Sequence, residues 1–483
     1  MENRGGDFMV KIREEEFGTS VKWSSITLSE IIKRDKRLEA SVFNIEAKKA
    51  WQIIEKNKYE VIYLGGEEGL VEQAFYPGRF KRIYCNPENG EEFFLPSQMI
   101  EINPKAEKWI SKSTKCNFNK LRVEKNTLLL TRSGTIGNVT LVSKTLENKI
   151  FSDDVIRIKF KNILDLGYVY AYLKTKTGSL ILQTNGYGAV ITHLEPEHLS
   201  EILIPNPPNE IKEQIHNLII ESFKLRDEAN ELTNNAIKLL ENELKLIPIN
   251  KLEQENNEIN SFKIKLSELE ERIDGSYHIP INKKIEEILK KNSGEITTMA
   301  DPRITKKIIL AGIFKRIYVE EGYGIPFLGG KEITQLNPKV EKFLSYPYHK
   351  ERYEKELKIS ENMILVTDRG SIGIVALVPK HWNNLAVSQN VLKVIPANNE
   401  IAGYIYVYLN SEWGKSFLCK ETYGAVVDMI DDKSLAKVKV PLLKSKEIQN
   451  KINNMALEAN EKLYMAYELE KKALEDMNKV INS

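Results

Sequence analysis

The sequence predicts an α+β protein with an internal pseudo-twofold repeat: two mixed α/β domains, each followed by a long helix, the two helices pairing as an antiparallel coiled coil. Three observations predict it. The chain says the same thing twice: Phe80-Lys81-Arg82-Ile83-Tyr84 returns letter for letter as Phe314-Lys315-Arg316-Ile317-Tyr318, and Tyr187-Gly188-Ala189-Val190 returns as Tyr423-Gly424-Ala425-Val426. The offset drifts from 234 residues in the first pair to 236 in the second, far longer than a solenoid period, so a whole module is duplicated. Within each copy, short β-rich runs give way to a heptad pattern immediately after a proline-bearing segment.

The elements follow in order. The first mixed domain, with an N-terminal extension, occupies 1–208. It holds strand-like runs at 127–131, 139–142 and 155–158 punctuated by Gly and Asn, then a helix predicted over Leu166 to Leu182. Ile204-Pro205-Asn206-Pro207-Pro208 closes it, and a long helix is predicted over 209–247. There Ile211, Ile215, Leu218, Ser222, Leu225, Ala229, Leu232, Ala236 and Leu239 keep a 4, 3 spacing, the seam of a coiled coil. Residues 248–265 are polar and aperiodic and read as a linker. The second mixed domain, 266–444, repeats the strand pattern and predicts a helix over Ala402 to Leu418. The second long helix, 445–483, carries Ile448, Ile452, Met455, Ala459, Lys462, Ala466, Leu469 and Ala473 at the same spacing. Each helix spans about 50 Å at 1.5 Å per residue. Alanines along both seams favour close helix–helix approach.

Bulk properties exclude several classes. Formal net charge is +2, but lysines and arginines crowd 105–125 in the first copy and 339–358 in the second, and local positive potential attracts phosphate. There is no apolar run long enough to span a bilayer, and the charged N-terminal stretch lacks a signal-peptide core, which predicts a cytoplasmic chain without membrane contact. Cys85, Cys116 and Cys419 are far apart and read as ordinary reduced thiols.

With these motifs in view, the chain resembles the specificity (S) subunit of type I restriction-modification enzymes over essentially its whole length. Four features carry the resemblance: the openings RLEASVF and RIDGSYH; the glycine turns TRSGTIGNVTLV and TDRGSIGIVALV; the run YGAVITHLEPEHLSEILIPNPPNEIKEQI into a helix; and the duplicated order of domain and helix. Departures are modest: the second proline run is Val440-Pro441-Leu442-Leu443, Gly275 stands where the family has Ala, and Val42-Phe43 replace paired tyrosines. The resemblance implies a phage-defence role in which each mixed domain is a target recognition domain reading half of a bipartite, asymmetric site in double-stranded DNA. It implies that the helices act as a ruler and dock two methyltransferase (M) subunits, with restriction/translocase (R) subunits joining. It further implies that this chain is not catalytic and carries no cofactor, S-adenosylmethionine, ATP and Mg²⁺ belonging to the partner subunits. Three rivals remain at this level: an S-like subunit of another DNA methylation system, a self-contained DNA methyltransferase, and a non-DNA scaffold built on a coiled coil.

A search for chemistry gives little else. Asn206-Pro207-Pro208-Asn209 lacks the aromatic fourth residue of an amino-methyltransferase motif and reads as a strand exit. Gly65-Gly66 and Gly329-Gly330 lack phosphate-loop spacing, and His193 and His198 match no zinc motif. The DNA-binding candidates are therefore positional. Lys81, Arg82 and Tyr84, with Lys315, Arg316 and Tyr318, place basic and aromatic groups on one strand in each copy. Arg132 and Ser133, with Asp368 and Arg369, sit at the glycine turns, and Gln183, Tyr187 and Tyr423 follow the shorter helices. Arg to guanine and Asn or Gln to adenine are the expected pairings.

Overall fold

A computed structural model describes residues 26–33, 44–133, 136–184, 193–254, 261–269, 272–370, 372–424 and 427–483. In the first repeat the strands are β1 (Val61–Tyr63), β2 (Val71–Phe75), β3 (Tyr84–Cys85), β4 (Gly90–Phe94), β5 (Lys108–Ser111), β6 (Leu128–Thr131), β7 (Val139–Leu141), β8 (Ile150–Phe151), β9 (Val155–Phe160) and β10 (Leu203–Pro205). In the second they are β11 (Glu295–Thr298), β12 (Thr305–Ile309), β13 (Tyr318–Val319), β14 (Ile325–Leu328), β15 (Phe343–Leu344), β16 (Ile364–Thr367), β17 (Val375–Leu377), β18 (Ala386–Val387), β19 (Val391–Pro396) and β20 (Lys439–Leu442). The first repeat has sheets β2-β9-β6-β7 and β3-β5-β4-β8 and the pair β1-β10. Adding ten to each strand number gives the second repeat without exception. Register repeats too: Leu128 faces Ile158, and Ile364 faces Val394.

The central strands are mostly apolar on both faces because both sheet faces are covered, the exceptions being Thr131, Arg157 and Lys159 in the first repeat and Thr367 and Lys393 in the second. Leu128, Leu130, Ile156 and Ile158 face the helices, while Leu129 and Val155 meet Phe94 and Phe151 of the other sheet. Ile364, Val366, Leu392 and Val394, and then Leu365 and Val391, do the same in the second repeat.

The helices of the first repeat include α1 (Leu164–Lys174), α2 (Lys176–Thr184) and the long α3 (Asn209–Glu243). Their counterparts are α4 (Asn399–Asn410), α5 (Glu412–Lys420) and the long α6 (Lys446–Ile481). The single helix expected over Leu166 to Leu182, and its copy over Ala402 to Leu418, are each two helices. Thr175 and Ser411 turn to extended backbone, and their hydroxyls accept from the amides of Gly178 and Gly414, both at 3.1 Å. The corner is so tight that a Cβ on Gly178 would lie 2.1 Å from the Tyr172 carbonyl oxygen.

The repeated GYVYAYL and GYIYVYL motifs clamp each domain to its long helix. Gly167 and Gly403 let backbones touch: a Cβ on Gly403 would lie 2.3 Å from the Asn453 carbonyl oxygen. Their amides donate to His216 Nδ1 at 3.3 Å and Asn453 Oδ1 at 2.9 Å. The tyrosines one and five residues on tie down the strand that leads into the long helix. Tyr168 and Tyr172 donate to the carbonyls of Pro205 and Leu203, both at 2.7 Å, and Tyr404 and Tyr408 to those of Pro441 and Lys439 at 2.5 and 2.8 Å.

α3 and α6 pack antiparallel, low residue numbers of one meeting high numbers of the other: Gln214 with Asp476, Ser222 with the Ala466 carbonyl, Arg226 with Glu470, Glu228 with Lys462. Ile215, Ser222, Ala229 and Ala236 are buried, as are Ile452, Ala459, Ala466 and Ala473. Leu225 is buried too, but the expected seam positions Ile211, Leu218, Leu232 and Leu239 are only half-buried, whereas Lys212, His216, Ile219, Phe223, Asn230 and Thr233 are buried. Each helix serves two neighbours, its partner helix and the domains, so its buried stripe is wider than a coiled-coil seam.

The domains sit at opposite ends of this pair. The first packs on Ile215, Ile219 and Phe223 of α3 and on Ala473, Met477 and Val480 of α6; the second packs on Ala236 and Leu240 and on Ile452 and Ala456. Between them, Glu101 pairs with Gln335, and Ile102 and Leu336 share a cluster with Leu225 and Ala466. Glu101 and Gln335 are equivalent positions of the two repeats, so their pairing marks a pseudo-twofold axis. Among the described residues no helix is long and apolar enough to cross a membrane.

Candidate nucleic-acid interface

The repeated basic strand, the glycine turn and the loop between β8 and β9 meet at one corner of the first domain. Arg82 enters from the segment before β3, where β3 pairs with β5, and lies over the Phe93 ring at 5.5 Å. Its Nη2 donates to Asp153 Oδ1 at 2.6 Å, Ser152 Oγ at 3.2 Å and Asp154 Oδ2 at 3.4 Å. Beyond β6, Ser133 Oγ donates to Asp154 Oδ1 at 3.0 Å. Arg132 is 5% exposed, stacks 4.1 Å from the Tyr76 ring centroid and donates through Nη2 and Nε to Glu195. The sequence suggested a charged turn tip open to phosphate. The structure instead places Arg132 inward, as the tie between the glycine turn, Tyr76 and Glu195.

A second buried arginine braces this loop. Arg157, 2% exposed, donates to the carbonyls of Phe151 at 2.9 Å, Ser152 at 3.1 Å and Leu121 at 3.1 Å, and also to Val155. Burial lowers its pKa to about 10 against the pull of Asp153.

The second domain builds the same corner from other chemistry. Asp368 replaces Arg132, Arg369 replaces Ser133, and Gln389-Asn390 replace Asp153-Asp154. The backbone proves the match: Arg132 N donates to Asp154 O at 2.9 Å, and Asp368 N to Asn390 O at 3.2 Å. Asp368 is 1% exposed and holds Arg369, whose Nη2 donates to it at 2.8 Å. That bond and the neighbouring Asp368 charge raise the arginine's pKa further. Arg316 lies 5.6 Å from the Phe327 ring centroid, as Arg82 lies over Phe93. Where Arg157 braces the first loop, Lys393 is fully buried and donates to the Val391 carbonyl at 3.0 Å.

The remaining candidates divide. Lys81 and Lys315 are exposed, and Tyr84 and Tyr318 are 44% and 40% exposed, with Lys108 Nζ 5.2 Å from the Tyr84 ring. Tyr423 is 41% exposed beside Asp431 and pairs through its backbone with Met429. Gln183 lies near the end of α2, beside Gly137 of the glycine turn, and donates to Ser179 Oγ at 3.2 Å. Tyr187 lies outside the described residues. Of the basic runs, Arg122 pairs with Glu91, Arg352 with Glu356, Lys355 with Glu351 and Lys358 with Glu354. His349 is 7% exposed and accepts from the Ile317 amide, so it positions the basic strand. Lys112, Lys115, Lys120, Lys339, Lys342 and Lys350 remain exposed.

Sequence reasoning missed Asp153, Asp154, Glu195, Gln389 and Asn390. The signal was present: Ser-Asp-Asp and Ser-Gln-Asn stand 236 residues apart, at the offset of the glycine turns.

The chain is similar in structure to the S subunit of a type I restriction-modification system from M. genitalium, at 16% identity and a TM-score of 0.34 over 88% of this chain and 96% of that one. It is also similar to the HsdS subunit from Thermoanaerobacter tengcongensis, at 14% identity and a TM-score of 0.27 over 87% and 99%. No curated protein matches the sequence significantly. The family model for the type I restriction modification DNA specificity domain matches twice, once in each repeat, at residues 22–242 and 283–455. With most of its length so matched, the chain belongs to the type I restriction-modification specificity family.

Proposed function

We propose that this protein is the sequence-reading subunit of a type I restriction-modification complex, binding a split, asymmetric site in double-stranded DNA. The observation that carries the reading is the pseudo-twofold placement of two equivalent domains at opposite ends of one antiparallel helix pair. The packing sites centred on Ile219 and Leu240 are about 20 residues apart on α3, hence about 30 Å at 1.5 Å per residue. That is close to one turn of B-DNA, about 34 Å, which suits two half-sites on one face of the duplex. The corners differ between repeats in charge and hydrogen-bonding groups, which supports an asymmetric site.

On this reading the chain is a non-catalytic adaptor. Two methyltransferase subunits and the restriction subunits dock on it, and S-adenosylmethionine, ATP and Mg²⁺ act on those partners. The exposed lysines supply phosphate contacts and affinity without sequence information. The test is a single-molecule map of methylated bases in the host genome with and without this gene. Loss of one split motif on deletion is expected. An unchanged map, with the gene expressed alongside its methyltransferase partner, refutes the reading.

A further inference from the structure

The two repeats place an arginine at the same point of the fold and then treat it differently. Arg82 and Arg316 both precede the strand that pairs with β5 or its equivalent β15, and Ser111 N and Ser345 N donate to the next carbonyl, Ile83 O and Ile317 O, at 2.8 and 2.9 Å. Both guanidinium groups lie over the equivalent phenylalanine, at 5.5 and 5.6 Å. The loop that faces them is also superimposable in its bonds. Ser152 N donates to Phe94 O and Ser388 N to Leu328 O, while Asp154 N and Asn390 N donate to the serine hydroxyls at 3.1 and 3.2 Å.

What differs is charge. Asp153 and Asp154 bind Arg82 at 2.6 and 3.4 Å. Gln389 and Asn390, nearly the same shapes without the charge, stand in their place. Among the described residues Arg316 makes no hydrogen bond or ion pair: its Nε is buried without a partner, as are Gln389 Oε1 and Asn390 Oδ1. The loop is also less tightly braced, Lys393 reaching the Val391 carbonyl where Arg157 reaches the carbonyls of four residues.

We infer that Arg316, with Gln389 and Asn390 at the positions equivalent to Asp153 and Asp154, is a base-reading group of the second domain, whereas Arg82 is an internal strut of the first. An arginine already satisfied by two carboxylates has little to gain from DNA, and those carboxylates repel phosphate. An arginine on the same platform with no carboxylate bound keeps its charge and its Nη donors for the groove, where guanine N7 and O6 are its best partners. The two amides can add their NH2 donors there, their oxygens being buried. This rests on the DNA-reading function proposed above and assigns the residues that discriminate within it.

The experiment is the host methylation map in strains whose chromosomal copy carries Arg316→Gln, Arg82→Gln, or the double change Gln389→Asp with Asn390→Asp, which transplants the first repeat's acid pair. Soluble chain level and thermal unfolding are measured for each. The expected result is that Arg316→Gln and the transplanted acid pair both relax or weaken the same position of one half-site by about tenfold or more, a bidentate contact being worth about 1–3 kcal/mol. Arg82→Gln relaxes no single base position; as the loss of a strut it lowers thermal stability and weakens the first half-site, if at all, at all its positions together. The inference is overturned if Arg316→Gln or the acid pair, present at wild-type level, leaves the motif intact, or if Arg82→Gln has the same effect. It is also overturned if Arg316→Gln weakens all sequences uniformly, the mark of a phosphate contact. A wild-type map with no split motif dependent on this gene defeats the functional reading instead, and so is distinguishable.

Discussion

Replacing Glu470 by Ala tests whether the two helices and two domains are locked by one buried junction. The Glu470 carboxylate is 1% exposed in the middle of α6. It accepts from Tyr170 of the first domain at 2.6 Å, from Arg226 Nη2 of α3 at 2.9 Å and from Asn337 of the second repeat at 3.5 Å. The Arg226 side chain is 17% exposed and lies over the Phe223 ring at 4.4 Å, so it has little water to fall back on. Stranding a buried charge costs about 3–5 kcal/mol, and the orphaned Tyr170 hydroxyl adds to it, so Glu470→Ala should lose about 4 kcal/mol. That is a large share of a typical total of about 5–15 kcal/mol. Removing both charges, Arg226→Met with Glu470→Leu, should cost much less than the sum of the single changes, because an apolar pair needs no compensation. Burial alone would push the Glu470 carboxyl up, but Arg226, Lys174 and the bonds from Tyr170 and Asn337 outweigh it and hold it below its ordinary value. The carboxylate's contribution is therefore present above the unfolded-chain pKa and is lost as pH falls through the lower folded value. Urea unfolding of wild type, Glu470→Ala, Arg226→Met, Glu470→Leu and the double variant, with wild type repeated from neutral to acid pH, measures all of this. A Glu470→Ala loss under about 1 kcal/mol, or a double variant equal to the sum of the singles, refutes the reasoning.

Three further outcomes are expected. Gly403→Ala should destabilise by about 1–3 kcal/mol or more in thermal unfolding, since its methyl would meet the Asn453 carbonyl at 2.3 Å and the Ala456 Cβ at 3.1 Å. Asp227→Ala should cost about 1–3 kcal/mol in urea, because Asp227 accepts from the amides of Lys144 and Thr145, both at 2.9 Å, and from the hydroxyls of Ser143 and Thr145 at 2.7 and 2.6 Å. Burial lowers the Lys393 pKa to about 8, opposed by Glu356 and Asp368. The unfolded chain then binds more protons between about pH 8 and 10.5, so stability rises with pH across that window. Lys393→Met should remove that rise, worth at most about 3 kcal/mol, in unfolding curves taken at pH 7, 8.5 and 10.

Local patterns carried most of the architecture. The duplicated motifs, spaced far enough apart to hold a whole domain, predicted two equivalent domains, and the heptads predicted two long helices, because both signals are written in consecutive residues. GYVYAYL was visible as a repeated string, but its work, a glycine against a helix backbone and two tyrosines on strand carbonyls, depends on segments about 30–50 residues away. The expected seam was half right for the same reason. Ser222 and Ala229 do lie between the helices, yet Lys212 and Asn230 are buried because the domains pack on a second face that no heptad announces.

By itself the sequence determined the duplication, the alternation of domain and helix, and the chemistry available at each equivalent position. Only the tertiary structure decided which of those groups are already satisfied. Arg132, Arg82 and Arg316 look alike in the sequence as basic residues in repeated motifs. Folding buries the first against Glu195, binds the second to Asp153, and leaves the third without a carboxylate partner, its Nε buried and unpaired. The physical reason is that an arginine's availability is set by the carboxylates within about 4 Å of it, and those come from loops some 60–70 residues distant in the chain.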